Sequence, residues 1–264
     1  MYPNLTASSN ITTNTKKFSF PTKPTFNGDQ FTIFWDVGQD DSALSTYDSS
    51  SHLSSLCHTY QDYGEHTIKF SSNVKSLQLK NYFERIKKIE SRSQVFQSLT
   101  YLYWCRNLET MKLNTLSCID TEWYDCYELT SLELPELEDI ACAYSVNCMY
   151  NLKKFSAPRL KRISQATGVF KGDVSLEEIN FPQLTAIYGG NGYTFMTNVS
   201  LTSAYLPKLE SCLGSEFSYC VNLKKTDFSS LTAVPGSMFR DCISLKEIKL
   251  PKVKSIGASA FHRC

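Results

Sequence analysis

What this chain lacks narrows the field first. No apolar run approaches the ~18–20 residues of a membrane-spanning helix, and the opening residues MYPNLTASSN do not carry the charged-then-apolar text of a secretion signal. Membrane insertion is therefore not expected, and export has to be arranged elsewhere than in these residues. Charge of one sign is missing too. The 27 Lys plus Arg stand against 26 Asp plus Glu, a net charge of +1, and the signs read as locally mixed. No nucleic-acid groove is suggested. There is no G-x-S-x-G, H-E-x-x-H or P-loop text and no C-x-x-C pair, and His52, His58, His66 and His262 do not fall at zinc-site spacing from cysteines. Neither an enzyme nor a cofactor or metal is expected.

What is present is a repeat. Aligned on an opening leucine, units begin at Leu108, Leu129, Leu152, Leu176, Leu201, Leu223 and Leu245, with spacings of 21, 23, 24, 25, 22 and 22 residues. The shared text is L-x-x-Φ-x-Φ-P-x-L-x-x-I, cleanest in LTSLELPELEDI, LEEINFPQLTAI and LKEIKLPKVKSI. Alternation at Leu245, Ile248 and Leu250 is that of a short strand with one buried face. The following proline cannot donate to a ladder and turns the chain; Pro135, Pro158, Pro182, Pro207 and Pro251 stand there, with Asn114 and Ser229 as exceptions. Burying four or five aliphatic anchors yields roughly 6–15 kcal/mol per unit, less than the ~22 kcal/mol or more that ordering its backbone costs. A single unit cannot fold, and stacking is obligatory. Seven units at ~4.8 Å each give a coil about 34 Å long.

Each unit closes with an aromatic, a short gap and a cysteine, as in EFSYCVNL, MFRDCISL and AFHRC. This text resembles the BspA-like (Treponema-type) leucine-rich repeat, whose pattern runs through I-G-x-x-A-F-x-x-C. The resemblance covers about 105–264 strongly and 74–104 loosely. It implies a right-handed leucine-rich-repeat solenoid with a parallel sheet, and a surface protein of bacteria, their phages or protists that attaches to host or matrix proteins. An extracellular, cell-surface or virion location is favoured by that resemblance alone.

Upstream, FTIFWDVGQDD and CHTYQDYGEHTIKF resemble the two signature strands of a PKD-type, immunoglobulin-like module, through Trp35, Asp36, Gly38, His58, Tyr60, Gly64 and Ile68, with His66 where an aromatic is usual. The expected organisation is a mobile arm over 1–17, a small antiparallel β-sandwich-like module over 18–73, and a β-rich solenoid over 74–264. Within the solenoid, 74–107 reads as an irregular N-terminal cap with a helical turn, its strand beginning at Val74, and 108–264 as seven repeats. No C-terminal cap is visible at Cys264, so the arm and that end are candidate contacts in a larger assembly.

Candidate chemistry is sparse. Cys105, Cys126, Cys148, Cys220, Cys242 and Cys264 share one place in successive units, where cysteine serves as a small apolar residue in a buried column; Asp173 and Asn198 interrupt it. Vertical disulfides would have poor geometry. Cys57 beside His58 is not a nucleophile and base, because neighbours on a strand point to opposite faces. Asp36, Asp40, Asp41 and Asp48 lack the ordered spacing of a calcium loop. Gly189, Gly190 and Gly192 turn the longest repeat instead of cradling phosphate. Asn4, Asn10 and Asn198 open glycosylation sequons that matter only in a eukaryotic secretory route.

Binding is expected on the strand face. One outward row reads Lys112, Glu133, Ser156, Asn180, Tyr205, Asp227 and Lys249; in the other, Lys153 and Lys154 adjoin Glu177 and Glu178, a cross-strand pairing of about 0.2–1 kcal/mol. Tyr205, together with Tyr188 and Tyr193 on an insertion, is the expected contact for a protein or glycan ligand.

Overall fold

A computed structural model describes residues 9–14, 17–19, 25–26, 28–34, 44–52, 54, 56–59, 65–70, 74–76, 86–91, 102–103, 105 and 107–264. Among them there is no α-helix. The first repeats are coils of three short straight segments separated by turns, and the later repeats keep one or two of them. In one repeat these are Ser131–Glu133, Asp139–Ile140 and Val146–Asn147. Each pairs in parallel with its counterpart one repeat earlier, Thr110–Leu113, Cys118–Ile119 and Trp123–Tyr124. The coil therefore has a strand face, a second face after the proline turn, and a turn face.

The consensus positions explain this geometry. After the strand, the N–H of the next leucine bonds the carbonyl three residues back, as in Leu137 to Leu134 (3.1 Å), Leu184 to Phe181 (3.1 Å) and Leu209 to Leu206 (3.1 Å), closing the turn that proline starts. Leu108, Leu129, Leu152, Leu176, Leu201 and Leu223 are all fully buried in one continuous core.

The turn face holds the largest side chains. Phe170, Phe195, Phe217, Phe239 and Phe261 form a ladder of near-parallel rings with centroids 5.3, 5.0, 5.7 and 5.4 Å apart. Offset stacking at this spacing is attractive beyond the area buried. Two residues before and two after each rung the backbone enters the left-handed region. Tyr144, Gly168, Tyr193, Ser215, Ser237 and Ser259 form the first row; Asp125, Cys148, Gly172, Thr197, Tyr219, Asp241 and Arg263 form the second.

That second row corrects the cysteine register. Cys148 stands in it at φ 57°, half-exposed, and the buried seat belongs to Met149. The seat is defined by its carbonyl, which accepts the N–H of the leucine three residues on: Cys126 from Leu129 (3.2 Å), Met149 from Leu152 (2.9 Å), Cys220 from Leu223 (3.0 Å). Cys148 precedes its leucine by four residues and cannot occupy it. The thiols of Cys220, Cys242 and Cys264 donate to the carbonyls of Phe195, Phe217 and Phe239 one repeat earlier, at 3.1, 3.1 and 3.0 Å. Asn198 makes the same bond from its amide to Phe170 (2.7 Å), so it continues the column instead of interrupting it. Its burial also closes that glycosylation sequon.

The N-terminal residues are joined to the coil, not hung from it. Strands Leu44–Asp48, Gln30–Phe34, Glu65–Phe70, Ser9–Asn14 and Ile86–Ser91 make an antiparallel sheet in that order, and Ile86–Ser91 also pairs in parallel with Thr110–Leu113. The result is one eight-stranded mixed sheet running to Lys154–Ser156. Two expectations change. Ser9–Asn14, placed in a mobile arm, is a strand bonded on both edges. The first rung of the coil is Ile86–Ser91; Val74–Ser76 pairs antiparallel with Thr25–Phe26. Trp35, Asp36, Gly38, Tyr60 and Gly64, the other acids of the 36–41 segment, and the cap stretches 77–85 and 92–101 lie outside the described residues.

Among the described residues two carboxyls of the coil, Glu216 and Asp173, are fully buried. Glu216 accepts the N–H groups of Thr194 (2.8 Å) and Leu213 (3.2 Å), and Asp173 accepts that of Met149 (2.8 Å). Burial pushes Glu216 up to about 7 from an ordinary 4.5 and raises Asp173 well above 3.8. Because the folded-state value exceeds the unfolded one, folding favours the protonated forms. Their stabilisation is complete below the unfolded value and, for Glu216, is lost as pH rises from 4.5 to about 7. The urea midpoint is expected to fall across that window, and Glu216→Gln should flatten the fall, a difference of about 3 kcal/mol. Phe195→Ala, which removes a rung, should cost about 3–5 kcal/mol in the same measurement.

Candidate binding surface

The strand face neutralises its own charge over its first half. Glu133 takes Lys154 at 2.9 Å and Lys112 at 3.2 Å, and those hydrogen bonds, that from Lys154 first, hold its carboxyl below its ordinary value. On the second face Arg159 pairs with Glu136, Lys161 with Glu138 (2.7 Å) and Arg162 with Asp139 (2.8 Å), one repeat apart in each case. These half-exposed pairs fix register more than they add stability.

Between the Lys154–Ser156 and Glu178–Asn180 strands the face opens. Neither strand ladder nor backbone hydrogen bond joins them, although the same two repeats stay paired on the second face through Arg162–Ala186 and Ile163–Ile187. Phe155 stands at the opening, although the face also lacks a ladder between Lys225–Asp227 and residues 246–249, where no aromatic fills the seat. Phe155 fills an inward seat that holds Leu132 one repeat before and Ile179 one repeat after, and its ring meets Phe170 and Phe181 edge-on at 4.8 and 5.8 Å. An aromatic in an aliphatic seat overfills the core and spreads the strands. The cleft has a volume of about 380 Å³ and is lined by Lys153, Lys154, Phe155, Ser156, Pro158, Glu178, Asn180 and Pro182.

The cross-strand ion pairing expected here does not form. Lys154 turns to Glu133, and Lys153, Glu177 and Glu178 make no ion pair among the described residues. The three expected tyrosines are not brought together either. Tyr205 lies half-buried on the strand face, paired in register with Asn180 and Asp227. Tyr188 follows the second-face strand Ala186–Ile187 and is 45% exposed; Tyr193, 39% exposed, opens the turn face, with the Lys171 ammonium 6.0 Å from its ring centre. Gly189 and Gly192 turn the corner between those two tyrosines at φ 75° and 81°, where an added Cβ would strike Ser164 O and Gly214 O.

Other sequence candidates resolve simply. Asp48 caps its own turn, accepting the N–H groups of Ser50 (2.8 Å) and Ser51 (2.9 Å). Cys57 donates to Ser54 O at 3.4 Å. No three potential metal-ligating side chains gather among the described residues. Sequence reasoning missed the second bonding column, in which Asn151 donates to Tyr127 O (2.7 Å) and Asn222 to Val199 O (2.9 Å). Asparagine two positions after the cysteine seat was the available signal.

The pattern that defines the BspA type leucine rich repeat region matches in six copies, over residues 57–167 and 144–264. The chain belongs to that family. Leucine-rich repeat proteins of this kind are in general protein-binding scaffolds and typically non-catalytic. Among solved structures, a leucine-rich repeat protein of T. pallidum is 19% identical, with a TM-score of 0.46, over 67% of this chain and 82% of that one. One from Eubacterium ventriosum is 14% identical (TM-score 0.38; 61% and 54%), and one from Bacteroides ovatus is 15% identical (TM-score 0.28; 94% and 92%). A search of curated proteins found no match.

Thiol accessibility follows from these positions in the BspA-type coil. Cys148 and Cys264 should alkylate in the native protein, whereas Cys105, Cys126, Cys220 and Cys242, fully buried, should label only on unfolding; peptide mass spectrometry reads this directly.

Proposed function

We propose that this chain is a non-catalytic recognition and adhesion scaffold that meets a protein or glycan ligand through its strand face, centred on the cleft between Lys154 and Glu178. The observation that carries the reading is the unpaired charge around that opening: Lys153 on one wall and Glu178 on the other, over an aromatic floor at Phe155. The preceding repeats pair Lys112, Glu133 and Lys154 among themselves and leave these charges for a partner, and rim charges of both signs give orientation and association rate. Tyr205 extends the contact two repeats further on. A PKD-like reading of the N-terminal module is supported by the alternating burial of Phe31, Ile33 and Ile68, and a cell-surface or virion setting follows from the family resemblance.

The test is a panel of immobilised matrix proteins and glycans probed with the intact chain. The double charge reversal Lys153→Glu with Glu178→Lys should weaken capture about tenfold at unchanged melting temperature. Unchanged capture places the contact elsewhere, and a stoichiometric self-assembled oligomer in mass measurement supports instead a structural component of a larger assembly.

A further inference from the structure

A second pocket lies on the opposite, turn face of the coil, away from the cleft. It has a volume of about 280 Å³ and is lined by Glu122, Asp125, Tyr144, Asn147 and Cys148. Tyr144 is 46% exposed, so its ring is a wall and not a core residue. It also stands at φ 55°, in the left-handed row where the repeats place Gly168, Ser215, Ser237 and Ser259. A bulky residue in that region is strained, and little burial compensates for it. The ring has its place because Gly168 carries no side chain: a Cβ there would lie 2.8 Å from Tyr144 Cε1. Asn147 braces the floor by donating to Gly168 O at 3.2 Å. Beside Cys148, Tyr150 is 44% exposed and stacks on Tyr127 with centroids 5.6 Å apart and planes within 6°.

The electrostatics of this pocket are one-sided. Between Lys112 and Lys153 the chain contains eight acidic residues and no Lys, Arg or His, a segregation that the even overall balance conceals. Glu133, Glu136, Glu138 and Asp139 are neutralised by cations of the neighbouring repeats. The Asp125 carboxylate, on the pocket wall, makes no hydrogen bond or ion pair among the described residues. The coil also displays the complementary chemistry once. At Tyr193, the same position two repeats on, Lys171 from the preceding repeat lies over the ring at 6.0 Å. The residue equivalent to Lys171 beside Tyr144 is Tyr124, which is uncharged.

We propose that the Tyr144 pocket receives an arginine side chain from a basic segment of a protein partner. The guanidinium plane would stack on the exposed tyrosine face while its N–H groups meet the Asp125 carboxylate, a combination a planar fork satisfies better than an ammonium. This site is independent of the strand-face cleft, and the two are tested by different variants.

The probe is the peptide acetyl-Gly-Arg-Gly-Arg-Gly-amide, titrated calorimetrically into the intact chain at low salt, with its glutamine counterpart as control. The arginine peptide should bind saturably, the glutamine peptide should not, and affinity should fall as salt is added. Asp125→Asn and Tyr144→Ser, the latter installing the residue that sister repeats already use, should each weaken binding about tenfold with the melting temperature retained. Reversal of Lys153 and Glu178 should leave this binding unchanged. Absence of arginine-peptide binding, affinity in either pocket variant equal to that of the unaltered chain, or displacement of the peptide by a neutral oligosaccharide would overturn the proposal.

Discussion

Everything in this structure rests on rung-to-rung registration: a backbone that comes back to the same point every 21 to 25 residues and bonds there to the previous turn. Registration turns single side chains into columns. The leucines become a continuous buried seam, the phenylalanines a ring stack, and the thiols and amides a line of second donors to main-chain carbonyls that already accept the N–H three residues on. A carbonyl can accept two hydrogen bonds, so a side chain that supplies the second in each turn has a role beyond filling space. That is why Asn198 can replace cysteine without breaking the coil, and why Asp173, which has no proton to give when ionised, sits there at a pH-dependent cost.

The parts of the fold legible in the sequence were those written once per turn. Leucine and proline spacing gave the coil, its strands and its outward rows, and the register confirms Lys112–Glu133–Ser156 and Asn180–Tyr205–Asp227 as continuous rows. Three features were not legible. The seat of Met149 was hidden because a cysteine stands next to it, and residue identity outweighed distance to the following leucine. The strand at Ser9–Asn14 was hidden because its Ser, Thr and Asn composition has little apolar signal; its partners lie 51 to 61 and 73 to 82 residues away. The opening beside Phe155 was hidden because an aromatic satisfies the hydrophobic pattern as well as leucine does, and only volume distinguishes them.

Volume and sign of charge together divide the surface. Over the first repeats neighbouring strands close, and Glu133 pairs with Lys112 and Lys154. Where Phe155 spreads them, charges are left over. On the turn face the left-handed corners set what can be displayed: serine and glycine there make a smooth wall, whereas Tyr144 and Tyr193 make protrusions. The candidate contacts thus arise at departures from the consensus, which is where a regular array acquires an address.

The shared strand Ile86–Ser91 has a mechanical corollary. It bonds the N-terminal sheet on one edge and the first repeat on the other, so the two bodies are welded by main-chain ladders and cannot swivel like beads on a string. Torque applied at the far repeats is transmitted to the Ser9–Asn14 strand, and the angle at which the coil presents its ligand is set by the sheet's twist.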